Sequence, residues 1–284
     1  MSERKKITIR TLFNKAKKKE PISWLTCYDY PTAYFQDQAG VDMILVGDSL
    51  GMTMLGYDGT LPVTMDDMIR HTQAVRRGAP NVFLVGDMPY MSYQPSIEIA
   101  IQSAGRFMAE ASCDAIKLEG GGEMAHRIEA IANVGIPVVG HLGLTPQSVA
   151  ALGGFRVQGR GAQQAKKIMD DAKALEEAGA FAILFEMVPE RVCKIITERA
   201  EDCLILSLGS GPHAHGQLLI YHDMFGLYPN FTPRMAKVFG NAGEIILNGL
   251  KQYNQEVKEK VFPQPENWFT MKDEEYEDLL DLLD

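Results

Sequence analysis

A chain of 284 residues with 46% hydrophobic and 23% charged residues can bury a sizeable core without disulfides or a structural metal. Its net charge of −9, from 37 acidic and 28 basic residues, argues against nucleic acid as a partner, because an acidic surface repels phosphate backbones. No apolar run approaches the length of about 18 residues that a membrane-spanning helix needs, so we expect no membrane span.

The four cysteines are scattered and form no CxxC pair or metal-ligand spacing. They are Cys27, Cys113, Cys193 and Cys203. Isolated cysteines in a chain of this size are typical of reduced core residues in a cytosolic protein. The N-terminus carries charges and no apolar segment of a secretory signal. We therefore expect a cytoplasmic location.

In chain order, short apolar runs alternate with segments of helical period such as 96–111 and 162–178. The candidate strands are 22–28, 43–47, 82–86, 115–118, 137–140, 182–185, 204–208 and 217–221. The first seven runs are continuously apolar, as parallel strands covered on both faces are. This order predicts an α/β fold, a (βα)8 TIM barrel, in which the seventh crossover is too short for its own helix.

No linker or low-complexity stretch divides the chain, so we expect one barrel domain over residues 1–284. The start of the chain is basic, at residues 4–6 and 15–19, and residues 273–284 are strongly acidic. We interpret both ends as solvated rather than as binding arms. The segment after Val261 has no helical or strand period and is expected to be an extended tail.

Polar side chains recur where five successive candidate strands end. They are Asp48 and Ser49 after the second strand, Asp87 after the third, Lys117 and Glu119 on the fourth, His141 on the fifth and Glu186 on the sixth. A single aspartate after a strand is usually a helix N-cap. The carboxyl ends of barrel strands, however, all meet on one face, which is where active sites are built. Five in a row therefore predict a site.

Four carboxylates on one rim repel one another and need a cation, either Lys117 or a metal ion. Oxygen ligands favour magnesium, manganese or calcium over zinc, and a few carboxylates with waters and a chelating substrate are typical of magnesium. A divalent ion on a 2-oxo acid polarises the ketone and stabilises an enolate. Glu186, in an apolar context, is the candidate base, so the residues point to proton abstraction beside a carbonyl.

Three other patterns are weaker. The glycine runs at 120–122 and 209–211 could hold a phosphate, but such runs are more often flexible loops. The histidines at 213, 215 and 222 lack the spacing and cysteine partners of a zinc site.

Long stretches of the chain resemble one enzyme family. They are LTCYDYPTA, GVDMILVGDSLGMTMLGYDGTLPVTMDDMIRHT, VGDMPYMSY, AIKLEGG, GIPVVGHLGLTPQSV, GGFRVQGR, LEEAGAFAILFEMVP and HDMFGL, between about residues 25 and 227. The family is the ketopantoate hydroxymethyltransferases (3-methyl-2-oxobutanoate hydroxymethyltransferases) of pantothenate biosynthesis. GHLGLTPQS and VGDSLGM…GYDGTLPVT are the most specific stretches, whereas AIKLEGG alone is weak.

The resemblance implies a barrel of the phosphoenolpyruvate mutase/isocitrate lyase-like type, assembled as a homodecamer. It implies transfer of a hydroxymethyl group from 5,10-methylenetetrahydrofolate to 3-methyl-2-oxobutanoate, giving 2-dehydropantoate and tetrahydrofolate through a magnesium-stabilised enolate. Mapped onto this chain, the resemblance makes Asp48 and Asp87 the direct ligands of Mg²⁺. The two aspartates would bind the keto acid through this ion. Glu119 would hold a metal-bound water.

The same resemblance assigns the remaining rim residues to the substrate. Ser49 and Lys117 would contact the keto acid, His141 would lie beside it, and Glu186 would be the base. These are the residues that the strand ends had already singled out.

One region departs from the family pattern, which commonly reads GIGAG and then DGQ after the seventh strand. Here the sequence is SLGSGPHAHGQ, with Ser207, Ser210 and His215 in place of Gly, Ala and Asp. A divergent paralogue with another substrate therefore stays open. A related magnesium-dependent keto-acid lyase or mutase and a barrel that only binds a ligand are further alternatives. The lyases and mutases usually carry a cysteine in a lid loop, and none of the four cysteines here lies in such a motif. A barrel that only binds a ligand has no reason to bury these charges.

Overall fold

The computed structural model describes residues 4–283, and its centre is a closed barrel of eight parallel strands that pair in chain order. The strands are β1 (Ile22–Thr26), β2 (Met43–Val46), β3 (Phe83–Asp87), β4 (Ala115–Glu119), β5 (Val138–Gly143), β6 (Ala182–Glu186), β7 (Leu204–Leu208) and β8 (Gly216–Leu219). The barrel closes where β1 pairs with β8, with Trp24 opposite Leu218. The predicted barrel is confirmed.

Helices precede, connect and follow these strands. They are α1 (Ile9–Lys17), α2 (Tyr30–Gln38), α3 (Leu50–Thr53), α4 (Met65–Gly78), α5 (Ile97–Ala111), α6 (Ala125–Asn133), α7 (Val149–Leu152), α8 (Ala162–Glu177), α9 (Glu190–Arg199), α10 (Tyr221–Met224), α11 (Ala242–Lys258) and α12 (Asp273–Asp281). The two helices predicted from periodicity, α5 and α8, start and end within a residue of the expected positions. Ser96 caps α5 by accepting a hydrogen bond from the backbone of Ile99.

The barrel interior is a separate core, which α1 closes at the amino ends of the strands. Trp24, Phe83 and Leu206 fill this interior, and Leu12 of α1 packs against the same cluster with no exposed surface. Because α1 plugs this end, the barrel interior opens at the carboxyl ends of the strands, where the polar residues lie.

The basic start of the chain is solvated only in part: Lys5 and Lys17–Lys19 are exposed, as expected, whereas the other basic residues within 4–6 and 15–19 have partners. Its charged side chains make three ion pairs: Arg4 with Asp37 (2.8 Å), Lys6 with Asp114 (2.6 Å) and Lys15 with Asp42 (2.7 Å). The charge pattern serves to fix the N-terminal segment to the barrel.

The seventh crossover has no helix, as expected, and this changes the surface of the neighbouring strands. Outward-facing Gln217 on β8 and Ser23 on β1 are exposed. The expectation that β1 is covered on both faces was therefore wrong, because no helix within residues 4–283 lies over Ser23 and Gln217.

The segment after Val261 is not extended throughout, because its acidic stretch forms α12, which is exposed along its length. Before it, α11 follows β8 with no buried residue. Three acidic residues in the first turn of α12 favour the helix, since they lie at the positive end of its dipole.

The cysteines and the helix lengths bear on two further expectations. All four cysteines are buried and free. No helix within residues 4–283 has both the length and the apolarity that crossing a bilayer demands.

Candidate active site

The polar residues at the strand ends come together at the carboxyl end of the barrel, and most of them are buried. Asp87, Lys117 and His141 are each no more than 2% exposed, and Asp48 and Glu119 are 4% exposed. The parallel register explains the clustering, because it sets Asp87 beside Lys117 and Glu119 beside His141 on adjacent strands.

Lys117 is the centre of this cluster. Its Nζ lies 2.7 Å from Oδ1 of Asp87 and 3.7 Å from Oε1 of Glu119. It also lies 3.3 Å from Nδ1 of His141. Burial lowers the pKa of Lys117, but Asp87 and Glu119 more than offset this, so the pKa lies above its ordinary value and the side chain is charged.

The buried cluster contains more carboxylates than cations, and the pKa values of its carboxylates are raised. Burial raises the pKa of Asp48, Asp87 and Glu119, and the negative charge of Glu119 raises that of Asp48 further. Burial and the charge of Lys117 lower the pKa of His141, so that ring is neutral and adds no positive charge. A divalent cation in this position would relieve both the repulsion and the desolvation.

Neutral polar groups that the strand-end pattern did not indicate hold the carboxylates in place. Gln147, in the 3₁₀ turn after β5, donates from its side chain to Oδ2 of Asp48 and from its backbone to Oε2 of Glu119, both at 3.0 Å. The Tyr93 hydroxyl donates to Oε1 of Gln147 at 2.8 Å. The Tyr28 hydroxyl lies 2.8 Å from Oγ of Ser49. These residues stand within the quoted motifs, but uncharged residues beyond a strand carry no sequence signal of their own.

Glu186 ends β6 beside His141, whose Nε2 lies 3.2 Å from its Oε2. The carbonyl of Glu186 accepts a hydrogen bond from the backbone of Leu144 at 2.8 Å. This close approach needs Gly143, since a Cβ there would lie 2.2 Å from the Glu186 carbonyl oxygen. Two neighbouring strands therefore fix where the Glu186 backbone lies.

The turn after Glu186 is held by the loop that departs from the family pattern. Oγ of Ser210, fully buried, donates to the carbonyl of Phe185 at 2.8 Å and accepts from the amide of Val188 at 3.0 Å. Between them Met187 has a left-handed φ of 50°, an uncommon conformation for a residue with a side chain. Ser207 extends the contact by accepting from the Ser210 amide at 3.0 Å.

The glycine run at 120–122 is occupied by carboxylates of this chain. The amide of Gly121 donates to Glu123 at 2.9 Å, and that of Gly122 donates to Asp171 at 3.0 Å. These two amides already have anionic partners, which leaves them no role in holding a phosphate.

The cluster opens into a cavity of about 330 Å³. Asp48, Ser49, Asp87, Lys117 and Glu186 line it. Glu119 and His141 are not among its lining residues; they lie behind Lys117 and Glu186, which they contact.

The outer wall of the cavity comes from the segment after β8, which sequence reasoning did not include in the site. Its side chains are Asp223, Tyr228, Phe231, Pro233, Arg234 and Met235. Met235 packs on the β7–β8 loop, where a Cβ at Gly209 would lie 2.7 Å from its sulfur. The C-terminal segment thus covers the mouth of the barrel.

The donor set fits a magnesium ion held partly by other ligands. Within residues 4–283, no three His, Cys, Asp or Glu side chains are already arranged as a metal cage. Magnesium in enzymes commonly uses one or two carboxylates and completes its octahedron with water and substrate. Asp48 and Asp87, which line the cavity and are joined by a hydrogen bond from the Asp48 amide to Oδ2 of Asp87 (3.1 Å), meet that requirement.

Comparison with known proteins gives one consistent result. Residues 6–265 match the model of the family described as ketopantoate hydroxymethyltransferase. The chain belongs to the ketopantoate hydroxymethyltransferase family. A 3-methyl-2-oxobutanoate hydroxymethyltransferase of Alkaliphilus metalliredigens is 50% identical over 97% of this chain and 98% of its own length. The enzyme of that name from Syntrophomonas wolfei is 48% identical over 95% and 97% of the two chains.

Solved structures outside the ketopantoate hydroxymethyltransferase family share the fold. A 2,3-dimethylmalate lyase of the PEP mutase/isocitrate lyase superfamily aligns with a TM-score of 0.59 at 12% identity, over 92% of this chain and 93% of its own. A phosphonopyruvate hydrolase in complex with oxalate and Mg²⁺ aligns with a TM-score of 0.58 at 13% identity, over 93% of each chain. The predicted barrel type is thereby confirmed. Sequence identities this low support a shared fold alone. They are therefore no evidence that this chain is a lyase or a mutase.

Proposed function

We propose that this enzyme transfers a hydroxymethyl group from 5,10-methylenetetrahydrofolate to 3-methyl-2-oxobutanoate, with water as third reactant, giving 2-dehydropantoate and tetrahydrofolate. One observation carries the proposal. In a chain of this family, Asp48, Asp87, Glu186 and Lys117 line one cavity at the carboxyl end of the barrel, and Glu119 lies behind Lys117.

Asp48 and Asp87 would bind the magnesium ion directly, and Glu119 would hold a water that is bound to the ion. Both oxygens of Glu119 are already engaged by the protein, Oε2 by Gln147 and Oε1 by His141 and Lys117. Glu119 is therefore suited to orient Lys117 and a water next to the ion. When bound, magnesium supplies a Lewis acid that polarises the ketone.

The keto acid is an anion, and the buried cluster of the cavity offers it Lys117. Lys117 binds it through its charged Nζ, and Ser49 donates a hydrogen bond while Tyr28 fixes the hydroxyl of Ser49. The resemblance placed His141 beside the substrate. Because His141 does not line the cavity and contacts Lys117 and Glu186, its proposed role is instead to orient these two side chains.

Glu186 is the proposed base. It takes the proton from C3 of the keto acid, and the electron pair of that C–H bond moves into the enolate. Water breaks the two C–N bonds of the donor, which releases tetrahydrofolate and leaves the one-carbon unit as formaldehyde. C3 of the enolate then forms the new C–C bond to this carbon, the C=O electron pair moves to its oxygen, and that oxygen takes the proton held by Glu186. Glu186 itself stands on a backbone that is fixed on both sides, which gives the base the positioning that proton transfer requires.

The test uses the purified protein with Mg²⁺ and both substrates, and follows 2-dehydropantoate by NMR. A parallel assay measures exchange of the C3 proton in deuterated water without folate. Product together with magnesium-dependent exchange is expected. Exchange without any condensation would instead indicate a lyase or mutase, and the absence of both would leave only ligand binding.

We further propose that the chain is one domain over residues 1–284, is cytoplasmic and assembles as a homo-oligomer, a decamer. The four buried free thiols support a reducing compartment. Exposed apolar side chains on α11, among them Ile245, Leu247, Leu250 and Tyr253, support assembly, because such a face is stable in water only when it is covered.

A further inference from the structure

The outer wall of the cavity contains a carboxylate that the proposed chemistry does not use. Asp223 follows β8 in α10, lines the cavity and is 7% exposed. Within residues 4–283 its side chain makes no hydrogen bond and no ion pair; only its backbone amide is bonded, to Ile220.

Such a group is costly to bury without a partner. Desolvation raises the pKa of Asp223 to about 6, and no nearby positive charge opposes the shift. Buried carboxylates in proteins are normally paired with a cation or with hydrogen-bond donors. A carboxylate that faces a ligand cavity and has no protein partner indicates that the ligand supplies the donors.

The keto acid is not that ligand. Its carboxylate would be repelled by Asp223 and is drawn to Lys117, in the buried cluster. Asp223 stands instead among apolar wall residues, including Leu218, Ile220 and Tyr228. This combination suits a flat ring with an apolar face and N–H donors along one edge.

We propose that Asp223 binds the 2-amino-4-oxopyrimidine edge of the reduced pterin in the one-carbon donor. That edge carries two parallel donors, the ring N3–H and the 2-amino group, which match the two oxygens of one carboxylate. The apolar wall covers the ring faces. This inference rests on the proposed function, since it identifies how the same site recognises its second substrate.

The first experiment compares tetrahydrofolate binding by calorimetry in wild type and Asp223→Asn. Asparagine keeps the shape but replaces one acceptor oxygen with a donor, which faces the donors of the pterin. Affinity is expected to fall on the order of 10- to 100-fold, the usual worth of a charged hydrogen-bonded pair. The variant should still bind 3-methyl-2-oxobutanoate with Mg²⁺. Asp202→Asn, an exposed aspartate before β7 at the opposite end of the barrel, is the matched control and should bind tetrahydrofolate as wild type does.

The second experiment needs no variant, so it remains decisive if Asp223→Asn does not fold. The wild type is titrated with 2-desamino-2-methyltetrahydrofolate, which lacks the amino donor. A comparable loss of affinity is expected for wild type, and little further loss for Asp223→Asn. Equal binding of both folates by wild type, or unchanged binding by Asp223→Asn, would overturn the inference. If wild type bound no tetrahydrofolate at all, the proposed donor itself would be wrong.

Discussion

The ion pair between Asp87 and Lys117 brings together a proposed metal ligand and the cation of the cavity. Their 2.7 Å contact is fully buried, so each charge depends on the other in the absence of the ion. A bound divalent cation would compete with Lys117 for Asp87 and free the lysine to face the anionic substrate. Metal and keto acid are therefore expected to bind cooperatively.

Asp87→Ala tests the metal assignment. The variant should lose magnesium binding and magnesium-dependent turnover. It should keep its circular dichroism spectrum, because Glu119 still partners Lys117, but losing the 2.7 Å ion pair should lower the free energy of unfolding. Calorimetry with MgCl₂ and the NMR assay measure the two effects. Asp202→Ala is the control, and near-full turnover in Asp87→Ala would show that the ligands lie elsewhere.

Glu186→Gln separates binding from proton abstraction. It keeps the shape of the side chain and removes the basic oxygen, so magnesium and keto-acid binding should persist through Asp48 and Asp87. Exchange of the C3 proton should fall on the order of 10²-fold or more, the usual worth of a positioned base. Condensation should fall in parallel. Wild-type exchange in this variant would point to His141, whose Nε2 lies 3.2 Å from Glu186, as the proton acceptor.

At the scale of single residues, the sequence predicted the charged side chains of the site but not the neutral groups that hold them in place. Charged side chains that end consecutive apolar strands are conspicuous, and parallel pairing must bring them together. Gln147 and Asp223 lie beyond the strands, in short turns whose direction depends on tertiary packing. No local pattern reports which way such a side chain points.

At the scale of elements, the β7–β8 loop supports the end of β6. Ser210 bonds to the backbone on both sides of Glu186, and Met235 packs on the same loop. The departure from the family pattern therefore alters the support of the proposed base and leaves the charged residues themselves unchanged.

Ser210→Ala should show this support directly. The amide of Val188 would lose its buried acceptor, and the free energy of unfolding should fall by about 1–3 kcal/mol. If Glu186 shifts with its turn, kcat should fall about 10-fold with little change in the KM of the keto acid. Ser210→Thr, which keeps the hydroxyl, should restore kcat. Ser103→Ala, at a buried serine of α5, is the control. Unchanged kcat in Ser210→Ala would refute a positioning role.

The strands and the connecting helices could be predicted because their periodicity is set by burial within one chain. The ends of the chain could not. The basic start was in part misinterpreted because its partners, such as Asp42 and Asp114, are distant in sequence. The tail was misinterpreted because its acidic residues dominate the pattern, although Tyr276, Leu279 and Leu280 stand at helical spacing in α12.

For the whole molecule, the exposed apolar face of α11 leads to an expected assembly. Static light scattering at micromolar concentration should report a homo-oligomer, with a decamer as the specific expectation. Leu250→Glu, at a side chain that is 61% exposed in the monomer, should weaken assembly by placing a charge in the covered face. Asn254→Asp on the same helix is the control. A monomeric wild type would refute the proposal.

The closed barrel also implies that the backbone amides of the strands and those of the C-terminal helices exchange their hydrogens by different routes. A closed sheet has no edge strand, so releasing any strand breaks the ladders on both of its sides. Strand amides should therefore exchange with deuterium only through global unfolding. In an isolated chain, the amides of α11 and α12 should exchange through local opening, since nothing in the described part of the chain, residues 4–283, buries these helices.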